Sequence, residues 1–436
     1  MTPLYDAIRA YAAQKPARFH MPGHKGSFLP ASELQSIAPL DVTEVEPTGD
    51  LFSGGEPFDT AQKLWAERFG MDNCLFLTGG STLGLHAALA LFCRPGDQVL
   101  IDRGCHRAVY NALALLDLEP VYLPRPWRAG EGIAGSISPQ DVENLLDSHP
   151  NIKTICITSP TYSGVLSDIK ELSHIIHARG GNLIVDGAHG AHLPFLGVDA
   201  FPGCDALICS AHKTLPALGQ SALLFTNGVD PRRVRQMTSV FGSSSPSYPM
   251  MISLDCARDY LDGKGSEEYR RVARRTAALR AAFPSLQEGE LRLDPTRLTL
   301  TSPDGNALAQ ALEGENIWPE MADSGHVVLI LTAQDSEDDL HRLEEALQRH
   351  RDLLGTPPIL PPPPIPKPVR SLREALFAPV ERLPLENCLG RIAAGQLAPY
   401  PPGVPVVAPG EVIGEKELAY LREIGYNNSD VPVMCL

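Results

Sequence analysis

Between about Asn73 and Leu224, the chain alternates short apolar segments with stretches in which apolar residues recur at helical spacing. The apolar segments are CLFLT (74–78), QVLID (98–102), TICIT (154–158), NLIVD (182–186) and ALICS (206–210). Segments that are apolar at nearly every position are typical of a parallel sheet covered on both faces. Helical spacing over Ser81–Phe92 and Asp168–Arg179 supplies covering helices, so the pattern predicts a doubly wound α/β domain.

The pattern changes after about Asp262. It predicts a long charged helix, a strand, a helix, a strand and a helix, which together form a small α+β domain: Gly265–Ala282, Arg292–Leu300, Ala307–Leu312, Val327–Thr332 and Asp338–Leu354. The proline-rich stretch Thr356–Val369 (TPPILPPPPIPKPV) predicts a stiff polyproline II connector, with a proline-rich recognition motif as the alternative. The last segment predicts a helix, a turn at YPPGVP (400–405) and a helix from about Glu415.

These changes predict five parts along the chain. They are an N-terminal segment (1–45), a large domain (46–262), the small α+β domain (263–355), the linker (356–370) and a C-terminal domain (371–436). A chain of 436 residues is too long for one ordinary core, so division into two or three folded domains is expected.

Composition excludes some functions. The chain has a formal net charge of −15 and 43% hydrophobic residues, and such acidity argues against nucleic acid as a partner. The longest apolar runs fall well short of a bilayer span, and the amino terminus has no secretory-signal pattern. The nine cysteines lack zinc or disulfide spacing. We therefore expect a cytoplasmic protein with reduced thiols, no metal and no membrane partner.

Chemically capable residues follow the ends of two predicted strands. Lys213 lies in SAHKT, where its amine can condense with a cofactor aldehyde while Ser210 and His212 contact the cofactor phosphate. Asp186 ends NLIVD, where a buried carboxylate can keep a pyridine nitrogen protonated. Taken alone, Lys213 is more simply a surface charge, and Asp186 a helix cap or metal ligand. Their separation of 27 residues suits adjacent strands, as a pyridoxal 5′-phosphate (PLP) site requires.

Two further motifs suit the same cofactor. Gly80, Ser81 and Thr82 open a helix, where free amides, the helix dipole and two hydroxyls form a phosphate cradle. His106 follows QVLID, and its imidazole can lie on the face of a flat ring. The plainer interpretations are a helix cap for the Gly-Ser-Thr turn and polar surface for His106. Together and in this order, the four features predict a PLP enzyme whose covalent lysine is Lys213.

Several motifs together carry a family resemblance: FHMPGHKG (19–26), LDVTEVEPTGDLF (40–52), GGSTLG (79–84), SPTYSG (159–164), VDGAHGAH (185–192), SAHK (210–213) and YPPGVPVVAPGE (400–411). Over essentially the whole chain, the sequence resembles the Orn/Lys/Arg decarboxylase family, in its short form without the N-terminal receiver-like wing domain. The resemblance implies the aspartate-aminotransferase-like fold (PLP fold type I) with a mostly parallel seven-stranded sheet. It also implies a carboxy-lyase of polyamine biosynthesis that acts on arginine, lysine or ornithine.

The resemblance also implies roles for individual residues. Lys213 would be the Schiff-base lysine, Asp186 the pyridinium partner and His106 the stacking ring. The phosphate would be held by Ser81, Thr82, Ser210 and His212, with Ala188 and His189 beside the cofactor ring. Ser243 and Ser244 of FGSSSPSY (241–248) correspond to a stretch that reaches the phosphate across a subunit interface, so a homodimer or higher homo-oligomer is expected.

The sequence also departs from the family pattern in two places. Gly187 stands where the family commonly has an acidic residue, and the serine-rich stretch usually contains threonines. Neither departure touches Lys213, Asp186 or His106, but both bear on the choice of substrate.

The reaction type depends on how the substrate carboxylate is oriented. Aminotransferases of this fold clamp it with an arginine of the small domain, and neither Arg292 nor Arg297 has an identifying sequence context. Decarboxylation instead needs an uncharged pocket and a proton for Cα, from Lys213 or His212. The alternatives are an aminotransferase or Cβ/Cγ lyase, and a PLP-binding regulator without turnover.

A basic substrate needs a carboxylate at the far end of its pocket. Candidates within the family motifs are Glu44, Glu46, Asp50 and Glu411, of which the last three are preferred. The plainer interpretation of each one is a surface acid.

Overall fold

The structure is a computed structural model that describes residues 1–399 and 404–435. Its helices are α1 (Pro3–Ala13), α2 (Phe58–Phe69), α3 (Gly80–Phe92), α4 (Arg107–Leu116), α5 (Pro139–Ser148), α6 (Ile169–His177), α7 (Ala211–Thr214), α8 (Pro231–Phe241), α9 (Tyr248–Tyr260), α10 (Ser266–Ala282), α11 (Gly305–Gly314), α12 (Glu337–Arg349), α13 (Leu372–Leu376) and α14 (Glu415–Glu423). Its strands are β1 (Asn73–Leu77), β2 (Gln98–Asp102), β3 (Glu119–Leu123), β4 (Trp127–Arg128), β5 (Ile133–Ala134), β6 (Thr154–Thr158), β7 (Val165–Leu166), β8 (Asn182–Asp186), β9 (Ala206–Cys209), β10 (Ala222–Thr226), β11 (Arg292–Leu293), β12 (Arg297–Thr301), β13 (Met321–Ala322), β14 (His326–Ile330), β15 (Val380–Leu383) and β16 (Val431–Met434).

Seven strands form the large sheet, in the order β1-β10-β9-β8-β6-β2-β3. The pairs β2–β3, β2–β6 and β8–β9 are parallel, whereas β10 is antiparallel to both of its neighbours. The mostly parallel seven-stranded sheet is therefore confirmed, and the five predicted strands are present within one residue at each end. The strands β3 and β10 were not predicted.

Strand direction brings the carboxyl ends of three strands to one edge. Because β1 and β9 both run antiparallel to β10, they run in the same direction as each other, and β8 is parallel to β9. Residues that follow β1, β8 and β9 therefore emerge on the same side, where α/β proteins bind ligands. Helix α3 lies directly against this part of the sheet, because a Cβ added at Gly84 would be 2.7 Å from Leu77 Cδ1 and 2.8 Å from Ile208 Cγ2.

The chain forms two compact units. The first consists of Met1–Leu91, Ile184–Arg271 and Thr332–Gln334, and the second of Phe92–Leu183, Val272–Leu331 and Asp335–Leu436. In the first unit, helix α1 is fastened to α9 because the amides of Leu4 and Tyr5 donate to Asp255 Oδ2, at 2.9 and 3.1 Å. Burial raises the pKa of Asp255 to about 6, although these amides and Arg258 oppose the shift.

The small α+β layer of the second unit contains the antiparallel sheet β12-β14-β13. Its core is formed by buried aliphatic side chains together with Phe283: Val272, Leu279, Leu298, Leu300, Leu308, Leu312, Val327, Leu340, Leu343 and Leu347. The single strand predicted over Arg292–Leu300 is wrong. Pro295 has no amide to donate, and the Thr296 amide donates to Asp294 Oδ1, so a turn separates β11 from β12. The predicted helix Asp338–Leu354 is also too long, since α12 ends at Arg349.

A third cluster of buried side chains lies in the C-terminal segment, around the β15–β16 pair and helix α14. The predicted helix near its start is the short α13, and the predicted helix from Glu415 is confirmed as α14. Of the predicted YPPGVP turn, residues 400–403 lie outside the described residues. Residues 356–367 form neither helix nor strand, and the Trp127 indole donates to the Leu360 carbonyl at 2.9 Å. Polyproline II geometry and the five domain boundaries stay predictions.

The described residues show neither a bilayer-spanning segment nor a metal cluster. Across 1–399 and 404–435, no helix is both long and apolar enough to cross a membrane, and no group of three or more His, Cys, Asp or Glu side chains is placed to hold a metal. All nine cysteines are free thiols. Burial, reinforced by the charge of Asp186, raises the pKa of Cys209 well above its usual value, so this thiol at the end of β9 stays protonated.

Candidate active site

Lys213 lies in the short helix α7, directly after strand β9. Its Nζ is 3.1 Å from His189 Nε2, so the amine can donate to the imidazole. The hydroxyl of Tyr269 donates to the carbonyl of the next residue, Thr214, and the Tyr269 ring stacks on His192. The lysine amine is therefore held beside a buried histidine, and the turn that carries it is fixed from behind by Tyr269.

Asp186 ends strand β8 and is 3% exposed. Its Oδ1 accepts the Ala188 amide at 3.2 Å, which turns the chain sharply after the strand. A Cβ added at Gly187 would lie 2.6 Å from Leu207 Cδ1 and 3.2 Å from the Phe201 ring. A larger residue at 187 would therefore require Leu207 and the Phe201 ring to shift.

Helix α3 opens with the residues for which a phosphate cradle is predicted. Gly80 has a φ of 69°, a conformation that glycine adopts without strain, and the helix begins at this residue. The hydroxyl of Ser81 is 2.5 Å from that of Ser210, so the structure brings together the residues that follow β1 and β9. Thr82 is exposed. The start of a 13-residue helix with two adjacent hydroxyls is a favourable place for a phosphate.

His212 has a defined orientation. Its Nδ1 lies 2.9 Å from the carbonyl oxygen of Ser221, so Nδ1 carries the proton and donates it to that carbonyl. The other ring nitrogen, Nε2, is then the atom able to accept or donate a proton at a ligand. This orientation agrees with either role predicted for His212, at the phosphate or at Cα, and the structure does not choose between them.

The serine-rich loop that follows α8 is on the surface of the single chain. Ser243 and Ser244 are exposed, and the Ser243 hydroxyl accepts the Ser245 amide at 3.1 Å. The N-terminal motif FHMPGHKG (19–26) is partly on the surface as well: Phe19 is 96% exposed, and Phe28, two residues after the motif, is 66% exposed. Two sequence motifs of the family thus present polar and aromatic side chains to the outside.

His106 is placed by helix α4. The residue is the N-cap of that helix, and its Nδ1 accepts the Ala108 amide at 3.2 Å. Since Nδ1 acts as an acceptor, the proton of a neutral His106 ring is on Nε2. The local structure thus fixes the ring beside the start of α4.

The three preferred distal carboxylates are in different surroundings. Glu46 is exposed, at the start of a 3₁₀ turn that spans Glu46–Thr48. Asp50 is partly buried and caps its own turn, accepting the amides of Phe52 and Ser53 and the Ser53 hydroxyl. Burial alone would raise the pKa of Asp50, but these hydrogen bonds outweigh it and lower the pKa.

Glu411 is completely buried and forms an ion pair with Arg103 at 2.9 Å. Burial raises the pKa of Glu411, although Arg103 and the Ala408 amide oppose the shift. A carboxylate that is already neutralised by an arginine of its own chain attracts a substrate cation only weakly. We therefore do not carry Glu411 forward as the residue that binds the substrate.

Two buried arginines at the end of strand β2, Arg103 and Arg125, were not singled out from the sequence. Arg125, 4% exposed at its side chain, donates from Nε and from Nη2 to Asp102, the last residue of β2. Arg103 follows directly. The sequence did contain a signal for such an ion pair. Two charged residues, Asp102 and Arg103, stand together at the end of the buried apolar segment QVLID, and charged side chains are seldom buried without a partner.

The donors at the carboxyl edge of the sheet match the chemistry of PLP. An amine on Lys213, a buried carboxylate on Asp186 and the hydroxyls of Ser81 and Ser210 correspond to the cofactor's aldehyde, pyridine nitrogen and phosphate. Together with the seven-stranded sheet, they define a PLP enzyme of fold type I. Solved structures agree on the fold, including the alanine–glyoxylate aminotransferase of Nostoc sp., with a TM-score of 0.53 and 18% identity over 67% of this chain and 85% of the other.

Comparison with known proteins identifies the family. Residues 2–296 match the model described as "Orn/Lys/Arg decarboxylase, major domain", and residues 361–433 match "Orn/Lys/Arg decarboxylase, C-terminal domain". The chain belongs to the Orn/Lys/Arg decarboxylase family and is a PLP-dependent amino-acid decarboxylase.

Relatives agree with this assignment, and a solved structure shares the fold. An arginine decarboxylase of Bacillus subtilis is 30% identical over 96% of this chain and 93% of its own length, and the uncharacterized protein YaaO of the same organism is 31% identical over 97% and 94%. The constitutive lysine decarboxylase of Escherichia coli superposes with a TM-score of 0.84 at 19% identity, covering 100% of this chain and 81% of the other.

Proposed function

We propose that this enzyme decarboxylates arginine to the corresponding amine and CO₂. The observation that carries the proposal is the arrangement at the edge of the sheet, where Lys213 lies beside His189 and the Ser81–Ser210 pair closes the cradle. Arginine is placed before lysine and ornithine because curated arginine decarboxylases are 28–30% identical to the chain, whereas lysine decarboxylases are 20–23% identical.

Each residue of the site has a proposed task. When bound, PLP supplies a sink for the electron pair that remains on Cα after CO₂ leaves. The Asp186 carboxylate keeps the pyridine nitrogen protonated, and His106 stacks on the ring. Ser81, Thr82, Ser210 and His212 hold the phosphate, with Ala188 and His189 beside the ring. A proton from Lys213 or from His212 Nε2 then replaces the carboxylate at Cα.

The aminotransferase alternative loses support from the second unit. Arg297, one of the two arginines considered for a carboxylate clamp, is 2% exposed, and its guanidinium donates to the Tyr162 carbonyl. Burial lowers the pKa of Arg297, against the charges of Asp294 and Glu320. The other candidate, Arg292, is exposed. A clamp needs a guanidinium that faces the substrate. The guanidinium of Arg297 is instead buried in the protein interior.

A substrate panel tests the proposed reaction. The purified protein, loaded with PLP, is given arginine, lysine and ornithine separately, and both CO₂ and the amine product are measured. Arginine is expected to give the highest kcat/KM, with equal amounts of CO₂ and amine. Keto-acid formation without CO₂ would instead establish an aminotransferase, and a yellow protein inactive on every amino acid would favour a PLP-binding regulator.

For the distal cation, we propose Asp50, with Glu46 as the second candidate. The Asp50→Asn variant is expected to raise KM for the basic substrate, lowering kcat/KM about ten- to a hundred-fold, since a charge-assisted contact contributes roughly 1.5–3 kcal/mol. Asparagine keeps an oxygen for the Phe52 and Ser53 amides, so the turn is retained. Steady-state kinetics on the three substrates and PLP titration provide the measurement.

Glu67→Gln is the matched control for this experiment. Glu67 is a carboxylate of the same unit, is 59% exposed at its side chain and contacts only Lys63, 3.8 Å away. It should leave kcat/KM unchanged, because exposed charges are screened by salt. If Asp50→Asn and Glu46→Gln both keep wild-type kcat/KM on all three substrates, the basic-substrate assignment is wrong while the PLP assignment stands.

We also propose that the active enzyme is a homodimer or a higher homo-oligomer. The exposed Ser243, Ser244, Phe19 and Phe28 support this, because family motifs with large exposed rings are typical of surfaces that another subunit covers. Mixing a Lys213→Ala protein with a Ser243→Ala/Ser244→Ala protein should restore activity, since one site of each heterodimer then has every residue intact. Absence of complementation, together with a monomeric mass in light scattering, would contradict the shared site. The cytoplasmic location stays a prediction.

A further inference from the structure

The short loop between β2 and α4 (residues 103–106) ends at His106, and its inner side is anchored by Asp102. Asp102 Oδ1 accepts the Gly104 amide at 2.8 Å, and its backbone carbonyl accepts the Cys105 amide at 3.0 Å. The carboxylate itself is held by Arg125, whose NH1 also donates to the Gly135 carbonyl. This anchor lies wholly within the major domain and leaves the side chain of Arg103 to point elsewhere.

Arg103 connects the same loop to the C-terminal segment. Its NH2 donates to Glu411 Oε2 and to the Val406 carbonyl, both at 2.9 Å, and its NH1 donates to the Tyr110 hydroxyl at 2.8 Å. That hydroxyl in turn donates to the Arg103 carbonyl, and the guanidinium lies 4.6 Å from the centroid of the Tyr122 ring. The Arg103 side chain is 9% exposed and Glu411 is completely buried.

The C-terminal segment also contacts helix α4 at both ends. Near its start, Gln396 Nε2 donates to the Arg107 carbonyl at 3.3 Å, and the same nitrogen donates to Asn111 Oδ1 in the middle of the helix at 3.0 Å. At its end, Arg373 NH1 donates to the carbonyls of Ala114 and Leu115, at 3.2 and 3.0 Å. The helix whose N-cap is His106 is therefore bound by Arg373 and Gln396 along its length.

We propose that Glu411 is a positioning residue: through Arg103, it fixes the loop that carries His106. The inference rests on the proposed role of His106. A buried ion pair gives little net stability compared with apolar side chains of similar volume, but it permits few geometries. Arg103 has three fixed partners, and Glu411 Oε2 also accepts the Ala408 amide at 2.7 Å, so a displacement of either side chain breaks several hydrogen bonds.

The test compares three proteins reconstituted with PLP: Glu411→Gln, the double variant Arg103→Met/Glu411→Met, and the control Glu381→Gln. Glu381 is a suitable control because it is a C-terminal carboxylate that accepts Arg391 NH2 at 2.7 Å and does not touch residues 103–106. Measurements are the PLP dissociation constant, the unfolding temperature of the apoprotein, the near-visible absorbance, and kcat and KM separately.

For Glu411→Gln, we expect PLP to bind about ten-fold or more weakly and kcat to fall, with KM within about two-fold, since one charge-assisted hydrogen bond is lost. The double variant should recover the unfolding temperature, because no unpaired charge remains buried, yet keep weak PLP binding. The control should match the wild type throughout.

Two outcomes would overturn the inference. A Glu411→Gln variant with a raised KM and unchanged PLP affinity would show that Glu411 acts in substrate binding. A double variant that recovers PLP affinity together with stability would reduce the pair to a structural role. Failure of the proposed function is distinguishable from either, because borohydride would then trap no PLP on Lys213 in the wild-type protein.

Discussion

Replacing Lys213 with alanine is expected to abolish turnover and the near-visible absorbance of the PLP-loaded protein. Lys213 follows the buried strand β9 and has its amine 3.1 Å from His189 Nε2. An amine held in this way is the group that forms the covalent bond to the cofactor aldehyde. Absorbance spectra, borohydride reduction and peptide mass spectrometry provide the measurement.

Lys170→Ala is the matched control, since Lys170 is an exposed lysine of helix α6. It should keep the wild-type spectrum and activity. A borohydride-stable adduct on another lysine of the Lys213→Ala protein would show that the covalent site has been assigned to the wrong residue.

Replacing Asp186 with asparagine is expected to lower kcat by several orders of magnitude while the fold is kept and some PLP still binds. An amide of nearly the same shape can accept the Ala188 amide as Asp186 Oδ1 does. It carries no charge, however, so it cannot hold a pyridine nitrogen protonated, and the ring ceases to withdraw electrons from Cα.

Single-turnover kinetics and PLP titration would measure the two effects of this substitution separately. Asp230→Asn is the control: Asp230 is a half-exposed carboxylate of the same unit that caps helix α8, and asparagine caps a helix about as well, so both stability and kcat should stay near the wild-type values. An Asp186→Asn enzyme with near-normal kcat would show that this carboxylate does not act on the pyridine nitrogen.

The part of the fold that builds the site was predictable because its signal is local. Strands buried on both faces are apolar at nearly every position, and NLIVD and ALICS are confirmed as β8 and β9. Once those strands are placed, the residues that follow them must emerge at one edge of the sheet. That is why Asp186, Ser210 and Lys213 could be assigned to one site before any coordinates were considered.

What the sequence did not reveal depends on contacts between distant residues. Glu411 was interpreted as a substrate carboxylate from its motif, but its partner Arg103 lies 308 residues away, and no local pattern reports such a pairing. The turn at Asp294–Thr296 was missed for a different reason. Leucines alternate with polar residues on both sides of this turn, as in one continuous strand, and only Pro295 marks the boundary between β11, which pairs with β7, and β12, which pairs with β14.

The crowding around Gly187 constrains how this enzyme can change over time. A Cβ at 187 would lie 2.6 Å from Leu207 Cδ1 and 3.2 Å from the Phe201 ring, so a larger residue there requires both of these side chains to shift. Shortening Leu207 first would open a cavity in the core at a cost of about 2–5 kcal/mol. A larger residue at 187 and a smaller one at 207 are therefore expected to arise together in evolution rather than singly.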